Sequence, residues 1–224
     1  MITFVLTSCG RFRELENTLK SFFEFNTADI AKYIIIEDSG CDVMKANCIK
    51  LNESYNNIFT FVFNIERIGQ IKSIDKAYSL VTTEYIFHCE DDWQFNRHGF
   101  IEDSMVILEV NENIVSVWLR ALTDTNGHTI LPEVYTENST KYRLLEPYWR
   151  EGWGGFSFNP GLRRLKEYTM LAPYSSIKQK HPSGAQRFYT PELEISKQYS
   201  KLGYHAAILL NSAVEHTGWG KQVK

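Results

Sequence analysis

Short apolar runs alternate with amphipathic segments through the first half of the chain. The apolar runs lie at Ile2–Leu6, Tyr33–Ile36, Ile58–Phe63 and Tyr85–Cys89. Strands that are buried on both faces of a parallel sheet have nearly continuous apolar sequences. These four runs therefore predict four strands of a mostly parallel sheet.

Two of the segments between these runs have the period of an α-helix. After the first run, Leu15, Leu19 and Phe22 recur at helical spacing, and after the third run Ile71 and Ile74 do the same. Apolar side chains at this spacing form one face of an amphipathic helix. Strands that alternate with such helices favour βαβ units, and so an α/β fold with helices flanking the sheet.

The second half of the chain is less regular. Residues 121–160 show no sustained period and predict loops with short strands. We expect a single domain over residues 1–224, because no repeat or linker divides the chain. The remaining predicted elements are a helix at Phe100–Val110, a strand at Ile114–Leu119, a helix at Glu192–Leu202 and a strand at Ala206–Leu210.

Composition and charge narrow the class of protein. The chain has 224 residues, of which 43% are hydrophobic, a globular composition. Its 24 basic and 27 acidic residues give a net charge of -3, which offers no basic surface for nucleic acid. The four cysteines lack metal-binding spacing, and no apolar run approaches a signal peptide or a membrane span. We therefore expect a cytoplasmic protein without an integral membrane segment.

The densest negative charge follows the fourth predicted strand. In "EYIFHCEDDWQF", Glu90, Asp91 and Asp92 are adjacent, although neighbouring carboxylates repel each other and are costly to bury without a compensating cation. Carboxylates favour Mg²⁺ or Mn²⁺, which also bind waters and substrate phosphates. In an extended chain Glu90 and Asp92 point to the same side. The triplet predicts a metal site with Asp92 as a ligand and Glu90 nearby; a solvated loop is the alternative.

Polar residues also follow the first two predicted strands. Thr7 and Ser8 come after the first strand and Asp38 after the second. Ligands of open parallel sheets bind beyond the carboxyl ends of the strands. A dinucleotide site or a P-loop would need a glycine-rich signature, and "TSCGRF" contains a single glycine. Both of those nucleotide sites are disfavoured.

The order strand, "TSCGR", helix, strand, "EDSG", strand, helix, strand, "EDDW" resembles that of the GT-A glycosyltransferases, especially the family 2-like group. The resemblance implies a GT-A-like, Rossmann-related fold. Residues 1–95 would bind a nucleotide sugar and residues 96–224 an acceptor. "EDD" is a form of the family's DxD-type metal motif, which assigns the metal to Asp92. The residues that the resemblance places at the donor nucleotide are Thr7, Ser8, Asp38, Arg67, Gly69, Gln70, Lys72 and Asp91. Lys72 is equally compatible with a solvated position on a helix.

The second half must then supply the acceptor site and a general base. "EGWGGFSFNPGLRR" joins Trp153 to glycines 152, 154 and 155, which predicts an aromatic acceptor platform; Trp153 as a core anchor is the alternative. "TPELEISKQYSKLGYH" resembles the helix that carries the family's base, which falls on Glu192, with Glu194 as the alternate. Both are also compatible with a helix N-terminus, where carboxylates are favoured. The acceptor-site residues are therefore Trp153, Gly154 and Gly155.

A late histidine completes the expected metal site. In related enzymes such a residue returns to the metal or the diphosphate, and imidazole is an acceptable ligand of Mn²⁺. The resemblance places His216 in this role, although lone histidines are usually structural. The segment Gly218–Trp219–Gly220 would close over the donor.

Taken together, the resemblance implies a metal-dependent glycosyltransferase that uses Mn²⁺ or Mg²⁺. It would move a sugar from a nucleotide-diphosphate donor, for which we expect a UDP-sugar, to a glycan or another hydroxyl acceptor, with inversion. Two rivals remain. A sugar-phosphate nucleotidyltransferase would need a glycine-rich basic loop after the first strand. A non-catalytic carbohydrate- or nucleotide-binding protein would be favoured if Glu192 and Glu194 lay far from the acidic triplet.

Overall fold

The described part of the chain folds into helices around three sheets. The computed structural model describes residues 1–147, 153–178 and 191–218. The strands are β1 (Ile2–Ser8), β2 (Ile30–Glu37), β3 (Phe59–Phe63), β4 (Tyr85–Glu90), β5 (Trp93–Phe95), β6 (Ile114–Trp118), β7 (Tyr135–Glu137), β8 (Thr140–Leu144), β9 (Gly161–Arg164), β10 (His205–Leu209) and β11 (Val214–His216). The helices are α1 (Phe12–Phe25), α2 (Asp42–Ser54), α3 (Gln70–Tyr78), α4 (Phe100–Val110), α5 (Leu165–Leu171) and α6 (Pro191–Lys201), with a 3₁₀ turn at Tyr174–Ser176.

The central sheet has the strand order β3-β2-β1-β4-β9. β1 pairs in parallel with both β2 and β4, and all its residues are buried, as the continuous apolar run predicts. β9 is antiparallel to β4 and forms one edge. The register places Thr7 opposite both Ile36 and Glu90, so that three strands end at one edge of the sheet. The predicted α/β class with a mostly parallel sheet is confirmed.

Helices cover this sheet through their apolar faces. Leu15, Leu19 and Phe22 of α1 are fully buried, and the ring centroid of Phe22 lies 4.3 Å from that of Phe4 on β1. Ile74 and Ala77 of α3 are also buried, in a second core cluster. These two helices were predicted from the spacing of their apolar residues. The packing holds the polar edge of the sheet fixed relative to both helices.

The second half of the chain contributes a four-stranded sheet and a short ribbon. The sheet has the order β6-β10-β8-β7, with β6 and β10 parallel. In the ribbon β11 is antiparallel to β5, and His216 pairs directly with Trp93. This pairing brings the late part of the chain back to the acidic triplet. Within the described residues, no helix has the length and apolar character needed to cross a bilayer.

Candidate active site

A cavity of about 390 Å³ lies where β1, β2 and β4 end. Polar and charged side chains from both halves of the chain surround it, as expected at the carboxyl edge of an open parallel sheet. The lining residues are Thr7, Ser8, Cys9, Arg11, Asp38, Arg67, Gln70, Ser73, Glu90, Asp91, Asp92, His216 and Gly218.

Most of the donor and metal residues predicted from the sequence line this cavity. Two do not: Gly69 is the residue before α3, and Lys72 is exposed on α3. Sequence reasoning missed Cys9, Arg11 and Ser73 as lining residues. Arg11 carried a usable signal, because a cation at the start of a helix is opposed by the helix dipole and needs a compensating partner.

The partner of Arg11 is the acidic triplet. Its guanidinium donates through Nε and Nη2 to Asp91, and through Nη1 to Oδ2 of Asp92 at 2.7 Å. Asp91 is fully buried, and this burial, opposed by the charge of Arg11, raises the pKa of Asp91 to about 6. Arg11 therefore compensates the repulsion between the neighbouring carboxylates of the acidic triplet.

Asp92 also faces His216. Nε2 of His216 lies 3.3 Å from the same Oδ2 of Asp92 that accepts from Arg11. Burial acts to raise the pKa of Asp92, but the hydrogen bond from His216 and the charge of Arg11 outweigh it, and the pKa lies below its usual value. The Trp93 ring packs on the His216 imidazole with centroids 4.8 Å apart, which fixes the orientation of the imidazole.

The donor set at this position fits a hard divalent cation. Asp92 offers a carboxylate and His216 an imidazole, both suitable for Mn²⁺. Gly218 has no side chain beside them, and a Cβ there would overlap the Asp92 carboxylate. Within the described residues no group of three or more His, Cys, Asp or Glu side chains is arranged around a metal position. Phosphates and waters are usual further ligands of Mg²⁺.

Glu90 is held by two neutral donors. Its carboxylate accepts from Nε2 of Gln70 at 2.7 Å and from Nε1 of Trp93 at 3.4 Å. Burial raises the pKa of Glu90 well above its usual value, and the charges of Asp92 and Glu192 raise it further. Among the described residues, Glu90 thus accepts hydrogen bonds from two neutral side chains beside Asp92.

Asp38 organises the loop before α3. Its carboxylate accepts from the Asn64 side chain at 2.8 Å and from the backbone N–H groups of Ile68 and Gly69 at 2.9 and 2.8 Å. These bonds fix the loop that presents Arg67 to the cavity. Contact between Asp38 and a nucleobase or ribose stays a prediction, and the structure adds this positioning role.

The two candidate bases have different surroundings. Oε1 of Glu192 accepts from the Phe158 N–H at 2.6 Å and from the Ser157 hydroxyl at 3.1 Å. Burial raises the pKa of Glu192, and the charge of Glu192 in turn raises the pKa of Glu90 in the cavity wall. Glu194 is instead buried and paired with Lys197 at 3.2 Å. The charge of Glu192 thus acts on Glu90 of the acidic triplet.

The predicted acceptor segment makes hydrogen bonds and packing contacts with other parts of the protein. Nε1 of Trp153 donates to the Phe156 carbonyl at 2.9 Å, and the Gly155 carbonyl accepts from Trp118 at 2.7 Å. A Cβ on Gly154 would overlap the Ser200 hydroxyl. None of Trp153, Gly154 and Gly155 lines the cavity at the strand ends. Their acceptor role stays a prediction, and Gly152, Trp219 and Gly220 lie outside the described residues.

Gly155→Ala should therefore destabilise the fold. Gly155 has a φ of +86°, and an added Cβ would lie 3.0 Å from the Ala206 Cβ and 3.2 Å from Leu145. Backbone strain and overpacking together should lower the free energy of unfolding by about 2–4 kcal/mol in urea titrations. Gly127→Ala is the matched control, because Gly127 has a φ of +77° with nothing within 4 Å. Equal losses in the two variants would show that packing against Ala206 is not what requires Gly155.

Comparisons with known proteins identify the fold. No protein-family model matches the sequence, and no curated protein matches it. Among solved structures, the mannosyltransferase PcManGT from Pyrobaculum calidifontis in complex with GDP-Man and Mn²⁺ is similar over 92% of this chain, with a TM-score of 0.60 and 11% identity. S. aureus TarS is similar over 96%, with a TM-score of 0.63 and 12% identity. A structure of TarS 1-349 is similar over 97%, with a TM-score of 0.59 and 13% identity.

This chain therefore has a GT-A-like glycosyltransferase fold, as its sequence motifs predicted. The chain spans 53% of the PcManGT chain and 36% and 61% of the two TarS chains.

Proposed function

We propose that this protein is a metal-dependent glycosyltransferase that uses a nucleotide-diphosphate sugar. One observation carries the proposal: on a GT-A-like fold, the cavity at the strand ends brings together Asp92, His216 and six of the eight predicted nucleotide-binding residues. The similar mannosyltransferase was solved with GDP-Man and Mn²⁺, which supports a nucleotide-sugar donor and a divalent metal.

The donor would lie along the carboxyl ends of the strands. Thr7, Ser8 and Asp38 would contact the base and ribose of a UDP-sugar or related donor, and Arg67 would add positive charge for the phosphates. Asp92 and His216 would hold Mn²⁺ or Mg²⁺, with Glu90 beside them. The bound metal would supply Lewis-acid neutralisation of the charge that develops on the leaving diphosphate.

Glu192 would act as the general base toward the acceptor hydroxyl. Ser157 and Phe158 fix one of its oxygens, and a carboxylate with a raised pKa is a stronger proton acceptor. Deprotonation of the acceptor would allow direct attack on the anomeric carbon with inversion. The segment from Trp153 leads into Ser157 and Phe158, which supports an acceptor site next to Glu192. The acceptor would be a glycan or another hydroxyl compound.

The two rival functions receive less support. A nucleotidyltransferase would need a glycine-rich basic loop after β1, and this turn supplies only Gly10 and Arg11 before α1 begins. A non-catalytic binding protein would be favoured if the candidate bases lay far from the acidic triplet. The charge of Glu192 raises the pKa of Glu90, which supports a position of Glu192 near the triplet.

Thermal unfolding with nucleotides tests this proposal. UDP, GDP, dTDP and CDP are each added with and without Mn²⁺, and the corresponding monophosphates serve as controls. One diphosphate at a hundredfold excess over its Kd should stabilise the protein by about 2.7 kcal/mol, or roughly 5–10 °C in Tm, only when Mn²⁺ is present. If no diphosphate shifts the transition in either condition, the donor site and the transferase function are both wrong.

A further inference from the structure

We propose that Arg11 is a built-in counterion that competes with the divalent metal for Asp92 and is drawn away when a nucleotide diphosphate binds. This inference rests on the proposed function, since it concerns the same metal and donor. It assigns a specific role to a residue that sequence reasoning did not place in the site, and it makes metal binding depend on the nucleotide.

Arg11 and a divalent metal would both interact with a single oxygen atom of Asp92. Oδ2 of Asp92 accepts from Nη1 of Arg11 at 2.7 Å, and it lies 3.3 Å from Nε2 of His216. The same oxygen therefore faces both Arg11 and His216, the two residues between which a metal-binding role and a counterion role meet. A guanidinium has five N–H donors and no acceptor, so Arg11 cannot itself be a ligand. The positive charge of Arg11 beside Oδ2 therefore opposes a second cation at that oxygen.

Arg11 can release Asp92 without leaving the site. Its Nε and Nη2 both donate to Asp91, whose side chain is fully buried, while Nη1 alone reaches Asp92. The fork on Asp91 is a bidentate pair, which is the geometrically specific kind of guanidinium contact. The Arg11 side chain is 20% exposed and lines the cavity. Asp91 thus anchors a guanidinium whose remaining N–H group can turn toward a cavity ligand.

The electrostatic consequence is coupling between metal and nucleotide. Without a ligand, a divalent cation held by Asp92 would lie beside the retained positive charge of Arg11 in a partly buried cavity, where repulsion is weakly screened. A diphosphate would add negative charge beside both cations and would accept a hydrogen bond from Nη1 of Arg11. Each ligand should therefore raise the affinity for the other, and by linkage the two effects are equal.

Mn²⁺ titration followed by electron paramagnetic resonance of free Mn²⁺ tests the role of Arg11. Arg11→Gln removes the competing charge, and the variant should bind Mn²⁺ alone about tenfold more tightly than the wild type. The reason is that repulsion from one close positive charge lowers the affinity for a cation by about a factor of ten in this cavity. The factor by which UDP or GDP raises Mn²⁺ affinity should shrink correspondingly. Arg11→Lys keeps the charge and should stay within about threefold of the wild type.

Arg13→Gln is the matched control, since it removes an equal charge from an exposed position on α1, outside the cavity lining. It should change the affinity for Mn²⁺ alone by less than about threefold, because the competition at Asp92 persists. Circular dichroism spectra confirm that each variant is folded before titration.

Mn²⁺ affinity in Arg11→Gln that is equal to or below that of the wild type overturns the inference. If Mn²⁺ and nucleotide bind with the same coupling in both proteins, only this inference fails. If the wild type binds no Mn²⁺ even with every nucleotide, the proposed function fails with it.

Discussion

Asp92→Asn is expected to abolish metal-dependent nucleotide binding and to lower the rate of sugar transfer by about a thousandfold or more, or roughly 4 kcal/mol in activation free energy. The change keeps the shape of the side chain but removes the charge that faces His216 and Arg11. An amide is a poor ligand for a hard cation compared with a carboxylate. The rate of donor consumption and Mn²⁺-dependent thermal stabilisation are the two readouts.

The fold of this variant should persist, because Arg11 keeps its bidentate contact with Asp91. Asp29→Asn is the control, since Asp29 is an exposed residue between α1 and β2. It removes one negative charge outside the cavity and should leave binding and rate unchanged. Asp92→Asn with wild-type Mn²⁺ dependence would show that Asp92 is not a metal ligand.

Glu192→Gln is expected to lower the transfer rate by about 10²–10⁴-fold while leaving nucleotide binding intact. The amide cannot accept the proton of the acceptor hydroxyl, although it preserves the size of the side chain held by Ser157 and Phe158. Rates at saturating donor, together with nucleotide-dependent thermal shifts, separate catalysis from binding.

The pH profile gives an independent signature of the same residue. Burial raises the pKa of Glu192, and the base must be deprotonated, so the rate should rise as pH increases through this raised pKa and then level off. This limb should vanish in Glu192→Gln. Glu194→Gln is the matched control on the same helix, because Glu194 is paired with Lys197, and its rate should change by less than about threefold. Equal losses in both variants would contradict the assignment of the base.

The sequence predicted the parts of the fold whose burial depends on apolar side chains. The runs that became β1, β2 and β4 are largely buried in the sheet, whereas β3 at the edge is only partly buried. α4 has the bounds that its pattern predicted, Phe100–Val110. α2 was not predicted, because its buried positions are limited to Met44, Cys48 and Leu51 among polar residues.

β9 shows a physical limit of reasoning from hydrophobicity. It contains Arg163 and Arg164, both almost completely buried, in a strand of only four residues. Arg164 is paired with Glu167 and donates to the carbonyl groups of residues 108, 112 and 114. Those partners are acquired only on folding, so the pattern of polar residues gives no indication that this segment is a buried edge strand.

The candidate site was predictable where a motif and a strand end coincide. Asp92, Asp38 and Thr7 each follow an apolar run, and the parallel register brings them to one edge. Arg11 was missed because its carboxylate partners lie about 80 residues away in sequence. The fixed orientation of His216 depends on the pairing of β11 with β5, which neither short strand indicates by itself.

Anomalous diffraction from crystals soaked with Mn²⁺ and a nucleotide diphosphate, recorded at the manganese absorption edge, tests the central claim most directly. The account predicts one strong peak in the cavity at the ends of β1, β2 and β4, beside Asp92 and His216, with the diphosphate next to it. A manganese peak away from Asp92, or a nucleotide bound elsewhere on the protein, would contradict the metal-dependent donor site.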